Sequence, residues 1–318
     1  MSTYKEINGI KVQSLSSDPP APFEGEVWYN STSNTLKYFA NLSAAWATGA
    51  AITGRSGLAG AGVETAGLVF GGTNPANPSP LSNATEEYNG TSWSPGGNMA
   101  VARKALAGAG TQTAGLAFGG DEPPSENSTE EYNGSAWTAG GNLGSGRKYL
   151  MGCGTQTAGL AFGDVFSTTA TEEYNGSAWT AGGALNNGTG KGAGAGIQTA
   201  ALAIGGTEAS RTEEYNGTSW ASGGELNTGR DGNAGCGTQT AAITFGGEPL
   251  GTPGAATEQY NGSSWTSVAN MGTARYKSAG FGTKTSAIAA GGESASGVGG
   301  LTEEWSEGGP ATLTVGTD

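Results

Sequence analysis

The sequence predicts an all-β fold: a six-bladed β-propeller with four short strands per blade and a short N-terminal extension. Three observations lead to this prediction. Segments recur every 41 to 45 residues, glycines stand at fixed offsets within each repeat, and Asn-Gly pairs separate short β-prone segments. Glycine supplies 60 of the 318 residues. A period of this length is typical of propeller blades, each of which is one four-stranded sheet.

The period is marked by a TE(E/Q)Y segment whose tyrosine is followed five residues later by a tryptophan. The peptide TEEYNGSAWTAGG occurs twice without change, at 129–141 and 171–183, and LTEEW, ending at Trp305, takes the same place near the C-terminus. The five tyrosine–tryptophan pairs are Tyr88 and Trp93, Tyr132 and Trp137, Tyr174 and Trp179, Tyr215 and Trp220, and Tyr260 and Trp265.

Each repeat is predicted to contribute four strands. A segment rich in Gly and Ala forms the first, inner strand, where space near the axis is tight, and a TAGLAFGG-like segment forms the second. In repeat 2, Leu116 and Phe118 point to one face of that strand while Gly115 and Ala117 point to the other. The small face allows a neighbouring sheet to come close. TEEY is the third strand, and the tryptophan lies on the fourth.

Asn133-Gly134 and its equivalents are predicted to connect the third and fourth strands. An Asn-Gly pair between short strands favours a two-residue type I′ turn. With that loop length, Tyr132 would face Ser135 and Glu130 would face Trp137 across the hairpin.

The order of these features resembles the Kelch repeat. Gly-Gly ends one strand, a tyrosine and then a tryptophan follow, and a basic residue opens the next inner strand. The resemblance covers residues 55–305, and it departs from many Kelch repeats in having YNG where they have a Tyr-Asp turn. It implies a propeller fold.

Chain closure sets the expected domain boundaries. Repeat 6 ends at TEEW without a fourth strand, while LSAAWATG at 42–49 matches a fourth strand through Trp46. We predict that the strand around Trp46 pairs with residues 301–305, so that sheet edges are hidden. The propeller then spans 42–305, between an N-terminal attachment or assembly segment at 1–41 and a C-terminal tail at 306–318.

The N-terminal segment carries a second resemblance. After a DPPAP linker, GEVWYNSTSNTLKYFA is similar to a short motif of bacteriophage tail-fibre and other virion proteins. It implies attachment to other virion proteins through residues 1–41. The alternative is an extra hairpin packed on the propeller.

Composition narrows the function classes. A net charge of −13 disfavours nucleic-acid binding, and we expect no signal peptide, membrane insertion or disulfide framework. Cys153 and Cys236 stand at equivalent places and are expected to be buried thiols. The chain contains no histidine, which argues against triad catalysis and imidazole metal sites. We therefore expect no catalytic residues, no metal and no cofactor.

The recurring carboxylate pairs are interpreted as structural. Adjacent strand residues such as Glu130 and Glu131 point to opposite faces, so they cannot flank one glycosidic bond. A catalytic pair would also be needed once rather than in every repeat. If the protein were a carbohydrate-active enzyme, unpaired loop acids such as Asp121, Asp164 or Glu248 would be the candidates.

One basic residue per repeat marks the candidate ligand site, at the entry to the inner strand. In a propeller this ring would lie on the face that carries the variable loops between second and third strands, where recognition concentrates. The alternative is that these side chains pair with blade glutamates or backbone carbonyls and hold the blades together. The six residues are Arg55, Arg103, Arg147, Lys191, Arg230 and Arg275.

The leading hypothesis is a non-enzymatic virion-associated structural, decoration or fibre protein that presents a loop-rich propeller face, with host-surface glycan binding as an extension of that role. It would be located in the virion, on its exposed surface or tail. The alternatives are a soluble cytoplasmic Kelch adaptor that binds an acidic peptide, and a carbohydrate-active propeller enzyme.

Overall fold

The computed structural model describes residues 12–77, 79–122, 125–248 and 252–315. The fold is all-β and contains seven four-stranded sheets. The chain divides into two compact units, one formed by Ala45–Ser306 and the other by Met1–Ala44 with Glu307–Asp318. The larger unit holds six of the sheets, one per repeat, an architecture consistent with a β-propeller.

Each repeat sheet contains four antiparallel strands, numbered here from first to fourth. The first strands are Ala59–Val63, Ala107–Thr111, Met151–Thr155, Ala193–Ile197, Ala234–Thr238 and Ala279–Gly282. The second strands are Ala66–Phe70, Ala114–Phe118, Ala158–Phe162, Ala200–Ile204, Ala241–Phe245 and Ser286–Ala290. The third strands are Thr85–Tyr88, Thr129–Tyr132, Thr171–Tyr174, Thr212–Tyr215, Thr257–Tyr260 and Thr302–Ser306. The fourth strands are Trp93–Pro95, Trp137–Ala139, Trp179–Ala181, Trp220–Ser222, Trp265–Val268 and, for repeat 6, Ala45–Thr48.

The fourth strand of repeat 6 comes from the beginning of the larger unit. Trp46 pairs with Trp305, and Ala45 pairs with Ser306. The predicted pairing of the strand around Trp46 with residues 301–305 is therefore confirmed. The first strands contact one another in chain order, and the first strand of repeat 6 also contacts that of repeat 1.

The hairpin between third and fourth strands differs from the prediction. Tyr132 pairs with Trp137 and Glu130 with Ala139, so the loop has four residues, 133–136, instead of two. Asn133 causes the difference, because its side-chain oxygen accepts hydrogen bonds from the amides of Ser135 and Ala136. This Asx-type capping gives the loop its own bonds, and within it Gly134 adopts a positive φ of 90°.

Glycine and alanine on the second strands let the repeat sheets dock. A Cβ atom at Gly115 would lie 2.8 Å from a side-chain methyl of Leu68, and one at Gly159 would lie 2.7 Å from a methyl of Leu116. Each sheet thus inserts a large side chain into a space left by a small residue of the next sheet. The two-faced second strand predicted from the sequence has this role, and its leucine is fully buried.

The seventh sheet corrects the predicted count of six, because it forms from residues outside the repeats. Its strands follow the order Gln13–Leu15, Val27–Asn30, Thr35–Leu42 and Gly309–Thr314. The first two strands are parallel, and the other pairs are antiparallel. Residues 309–314 were expected to belong to a tail, yet they pair with 37–42. Their side chains alternate between half-buried and exposed, as the two faces of a strand require.

Asp18, placed in a linker by the sequence analysis, organises the smaller unit. Its carboxylate accepts hydrogen bonds from the Trp28 indole at 3.1 Å, from the Asn30 amide at 2.7 Å and from Lys37 Nζ at 2.9 Å. Trp28 is fully buried. The hydrogen bonds with Lys37, Asn30 and Trp28 lower the pKa of Asp18 to about 2. Three residues of the GEVWYNSTSNTLKYFA segment therefore converge on one carboxylate.

The lowered pKa of Asp18 predicts acid sensitivity of the smaller unit. A carboxylate with a depressed folded-state pKa adds stability above its unfolded pKa, near 3.8, and this stability is lost as the pH falls towards 2. We expect Asp18→Asn to destabilise the unit at pH 7 and to differ little from wild type near pH 2. The Trp28 indole proton signal, followed by NMR during unfolding, measures this. Glu24→Gln is the control, and equal destabilisation by Asp18→Asn at both pH values would contradict the prediction.

The remaining described elements are short. Glu293–Ser294 and Gly297–Val298 form a hairpin between the second and third strands of repeat 6, and Gly206–Glu208 is a 3₁₀ turn. Within the described ranges, no helix has the length and apolar character that crossing a membrane requires.

Candidate functional site: the mouth of the repeat ring

The five predicted arginines are buried and bonded to glutamates of their own repeats. Their side chains are at most 2 % exposed. Each guanidinium also donates to a backbone carbonyl at the start of the third strand, as Arg103 does to Ser128. The pairs are Arg55 with Glu86 at 2.9 Å, Arg103 with Glu130 at 3.1 Å, Arg147 with Glu172 at 2.6 Å, Arg275 with Glu303 at 2.9 Å, and Arg230 with Glu258.

This geometry matches the structural interpretation of the basic ring and not the ligand-binding one. Burial lowers the pKa of each arginine, and the paired glutamate opposes that shift. The glutamate in turn accepts bonds from amides that precede the arginine, such as Ala100 N–H to Glu130 at 2.7 Å. A ligand in the mouth cannot reach these guanidinium groups, which join the start of the first strand to the third strand.

Lys191 does not occupy the arginine position, contrary to the prediction. Thr189 takes that place in repeat 4, and Glu213 is held there by the amides of Asn186 and Asn187. Lys191 lies two positions further on, where it has a positive φ of 62°. Its equivalents share this left-handed conformation: Gly57, Ala105, Tyr149, Gly232 and Lys277.

These six left-handed residues form a continuous ring of backbone hydrogen bonds. The amide of each residue donates to the carbonyl of its equivalent in the preceding repeat, over 2.6 to 2.9 Å. Ala105 donates to Gly57, for example, and Gly57 donates to Lys277, which links repeat 1 to repeat 6. The ring defines the rim of an opening.

The opening leads to a cavity of about 190 Å³. Its wall has an apolar side, formed by Leu58, Leu106 and Leu150, and a polar side that includes Asn233 and Ser278. Asn233 Oδ1 and Ser278 Oγ are buried and have no hydrogen-bond partner among the described residues. The Asn233 amide nitrogen donates to the carbonyl of Ile204 and to the hydroxyl of Thr244, so this side chain turns into its sheet and away from the cavity.

Charges at the mouth are mixed. Lys191, Asp231, Glu248 and Lys277 line the cavity. Lys191 pairs with Asp231 at 3.4 Å, and the ammonium of Lys277 lies 4.4 Å from the centre of the Tyr276 ring. Burial raises the pKa of Tyr276, with the carboxylates of Glu293 and Glu248 adding to the shift, and burial also raises the pKa of Tyr149. Both phenols are therefore hydrogen-bond donors at neutral pH.

The variable loops lie on the mouth side, as predicted. Residues just after the Gly-Gly pairs bridge to residues that follow the arginine position, as Asp121 does to Lys104 and Glu248 to Asp231. Tyr149 and Lys277 were not predicted as site residues. They stand two residues after the arginine position, which is glycine in repeats 1 and 5, and that recurring glycine is the sequence signal for the left-handed rim.

The three loop acids considered for catalysis have separate surroundings. Asp121 pairs with Lys148 at 3.0 Å and with Lys104 at 4.0 Å. Asp164 is buried and accepts bonds from the amides of Phe166 and Thr168, whereas Glu248 lines the cavity. Within the part of the chain that the structure describes, no three acidic or cysteine side chains form a group that could hold a metal ion.

The repeated peptide joins neighbouring sheets. Tyr132 donates to Glu87 of repeat 1 at 2.5 Å, and the Trp137 indole donates to Thr85 at 2.9 Å. Gln112 donates to the carbonyls of Gly67 and Tyr88. The next three repeats have equivalent contacts. The two cysteines lie on first strands, and burial raises the pKa of Cys153 to about 12.

Repeats 5 and 6 break this pattern at two positions together. Repeat 6 has Trp305 in place of tyrosine, and repeat 5 has Gln259 in place of the glutamate that would accept from it. Both side chains instead donate to the carbonyl of Lys284. The glutamate is thus absent where the hydroxyl is absent, which shows that the two act as a pair.

The tyrosine–glutamate pair gives a stability prediction. Tyr132→Phe removes the donor to Glu87 and should lower the free energy of unfolding by about 1–3 kcal/mol, because the carboxylate loses a charged hydrogen bond. Chemical denaturation measures the change. The double variant Tyr132→Phe with Glu87→Gln is the matched comparison and should recover part of the loss. An unchanged midpoint in the single variant would contradict the assigned role.

No protein-family model matches this chain, and no match to a curated protein is found.

Proposed function

We propose that the protein is a non-enzymatic, virion-associated structural protein, of the decoration or fibre type, which exposes the mouth and its loops to bind a host-surface glycan. In this proposal the six repeat sheets are blades of a six-bladed, Kelch-like propeller, and Ala45–Thr48 completes the sixth blade. The ring of hydrogen bonds between equivalent residues of all six repeats supports that blade count.

One observation carries the recognition role: three rim residues keep large side chains in a left-handed conformation. Tyr149, Lys191 and Lys277 have φ values of 54°, 62° and 55°, whereas repeats 1 and 5 have glycine there. The left-handed conformation costs a non-glycine residue roughly 1–2 kcal/mol. Strain of this kind is concentrated at binding sites. Folding alone favours glycine at these positions, so the retained side chains support a binding role.

The cavity chemistry favours a neutral polyhydroxylated ligand. Two lysines, Lys191 and Lys277, and two carboxylates, Asp231 and Glu248, line the cavity. The lining therefore has no excess of positive charge to select an acidic peptide. A sugar ring offers an apolar face to the leucine side and hydroxyl groups to the side chains of Lys191, Asp231 and Glu248, which also line the cavity. Since the five arginines are buried, the adaptor hypothesis loses the observation on which it depended.

Replacing the strained side chains tests this role. The triple variant Tyr149→Gly, Lys191→Gly and Lys277→Gly should have a free energy of unfolding equal to that of the wild type, or higher by up to about 1 kcal/mol per site. The reason is that glycine adopts the left-handed conformation without strain. It should lose at least tenfold in affinity for any glycan that the wild type retains on an array. Ile197→Ser, at the exposed end of the first strand of repeat 4, is the control. Unchanged glycan binding by the triple variant, or no binding by the wild type, would overturn the recognition role.

The virion assignment is supported by the N-terminal resemblance and has its own test. Antibody labelling of purified particles should detect the protein in the particle fraction and on the exposed surface or tail. Its presence only in the host cytoplasm would contradict the assignment. A turnover assay with the bound glycan tests the enzyme alternative, and we expect no hydrolysis.

A further inference from the structure

The loop between the second and third strands of repeat 3, residues 163–170, departs from its five equivalents. Asp164 stands where the other repeats have the second residue of Gly-Gly. In each of those repeats this glycine has a positive φ, between 92° and 120°, whereas Asp164 does not. The backbone therefore takes a different course after the second strand of repeat 3.

Asp164 gives this loop a fixed shape. The residue is buried, and its Oδ1 accepts hydrogen bonds from the amide of Phe166 at 2.8 Å and from that of Thr168 at 3.1 Å. Its backbone carbonyl accepts a further bond from the amide of Ser167 at 3.1 Å. An Asx turn of this kind supplies the bonds that a strand would otherwise supply, so the loop is ordered without being part of a sheet.

The loop rests on the segment that enters repeat 4, and that segment is also atypical. The amide of Asp164 donates to the carbonyl of Thr189 at 3.0 Å. A Cβ atom at Gly188 would collide with the carbonyl oxygen of Ser167, and one at Gly190 would collide with that of Asp164. Thr189 replaces the buried arginine of the other repeats, and Gly190 stands where the other five carry a side chain. Repeats 3 and 4 thus depart from the common pattern on both sides of one contact.

This junction of repeats 3 and 4 adjoins two large residues of the rim. The amide of Val165 donates to the carbonyl of Lys148 at 3.1 Å, directly before Tyr149. The segment under the loop leads directly into Lys191. Six residues of the described chain have a positive φ without being glycine, and three of them, Tyr149, Ser167 and Lys191, lie at this junction. Backbone strain gathered at one place supports a binding role for it.

Phe166 is the side chain that the loop presents to solvent. It is 74 % exposed, a larger fraction than that of any other large hydrophobic side chain in the described part of the chain. A single exposed hydrophobic side chain needs no explanation by itself. Here, however, Asp164 fixes the amide of Phe166, the next residue is strained, and the loop lies on the mouth side. An aromatic ring held in this way beside a cavity is placed to contact a ligand.

We infer that Phe166 forms an outer subsite of the mouth, where its ring stacks on the C–H face of a second sugar unit while the first sugar unit occupies the cavity. The inference rests on the proposed glycan-binding function. The face of an aromatic ring is electronegative, and the C–H bonds on one face of a pyranose carry partial positive charge, so the two attract each other.

The spacing of Phe166 from the rim suits a second sugar unit. Val165 and Lys148 are joined by a hydrogen bond at the place where other repeats have antiparallel bridges. Phe166 and Tyr149 each lie one residue beyond this pair, in opposite directions, so their Cα atoms are roughly 9 Å apart by standard strand geometry. Two linked pyranose rings can bridge that separation, whereas one ring cannot contact both side chains fully.

One-sugar and two-sugar probes test the subsite. Lactose, cellobiose and diacetylchitobiose are titrated by calorimetry, each beside the methyl glycoside of its non-reducing sugar. The wild type should bind at least one disaccharide roughly tenfold more tightly than the matching methyl glycoside, because the second ring adds a stacking contact. Phe166→Ala should reduce this ratio to below about twofold, and Phe166→Trp should keep it. Both variants should keep the wild-type unfolding midpoint, because the side chain is exposed.

Phe23→Ala is the matched control, because Phe23 is 70 % exposed and belongs to the smaller unit; it should leave the affinity ratio unchanged. A Phe166→Ala variant that keeps the wild-type ratio, or that weakens both kinds of probe equally, would overturn the subsite and leave the proposed function intact. So would a wild type that binds none of the three disaccharides but retains other glycans on an array. A wild type that retains no glycan at all would overturn the proposed function and the subsite together.

Discussion

Replacing Arg103 with Met is expected to lower the free energy of unfolding by about 3–5 kcal/mol, the range for removing one partner of a buried ion pair. Arg103 is fully buried, and Glu130 is 3 % exposed. Without the guanidinium, the donors that remain to the Glu130 carboxylate among the described residues are the amides of Ala100 and Val101. The Ser128 carbonyl also loses a bond from Arg103. Urea denaturation followed by fluorescence measures the loss.

Two controls separate the charge effect from lost packing. Arg103→Met combined with Glu130→Gln removes both charges and should be less destabilised than Arg103→Met alone, because no unpaired carboxylate remains. Thr189→Ala, at the equivalent place in repeat 4, should lose no more than about 1 kcal/mol, since its hydroxyl makes only long bonds to neutral groups: it donates to the carbonyl of Gly205 at 3.3 Å and accepts from the hydroxyl of Thr207 at 3.3 Å. A loss below 1 kcal/mol for Arg103→Met would show that the ion pair does not hold this sheet together.

Trp46→Ala is expected to cost about 3 kcal/mol and to open the sheet that joins the two ends of the larger unit. The indole packs 4.8 Å from the Phe245 ring and 5.6 Å from the Trp305 ring, and it donates to Thr257. Large-to-small substitution of a packed tryptophan costs about 3–5 kcal/mol, and the partial exposure of Trp46 places it at the lower end. Amide hydrogen exchange should show lost protection at 45–48 and 302–306.

Trp137→Ala is the matched control for this variant. Trp137 holds the same position in repeat 2, where its strand follows directly in the chain. A similar loss of stability is expected there, without selective loss of protection at 302–306. The third strand of repeat 6 would become an unpaired edge only in Trp46→Ala, so that variant should also aggregate more readily. Retained protection at 302–306 would argue against the proposed closure.

Much of the fold could be predicted because the repeat fixes both strand order and docking. Glycine at 115 beside leucine at 116 was enough to indicate close sheet packing, and Trp46 was enough to identify the joining strand. The hairpin register was wrong because a side chain, Asn133, bonds within the loop and lengthens it. The seventh sheet was missed because it joins 35–42 to 309–314, a contact between distant segments that occurs once and leaves no repeated pattern.

The candidate site was less predictable from sequence. A basic residue next to an inner strand looks the same whether its side chain turns towards the mouth or into the sheet. In the structure, Arg103 turns inwards because Glu130 and the Ser128 carbonyl lie in reach. The rim depends on the left-handed backbone conformation at Tyr149, Lys277 and their equivalents. No single residue type marks that conformation in the sequence. Only the recurrence of glycine at two equivalent positions carries that signal.

The hydrogen-bond ring at the mouth has a consequence for affinity. Each rim amide and each rim carbonyl is already used by a neighbouring repeat, so the aperture has a fixed diameter and offers a ligand no free backbone groups on these residues. The hydrogen-bonded rim then sets the size of the ligand that can enter. The side chains and loops around the rim determine which chemical groups of the ligand are recognised. A preorganised aperture also spares an incoming ligand the entropic penalty of ordering its own receptor.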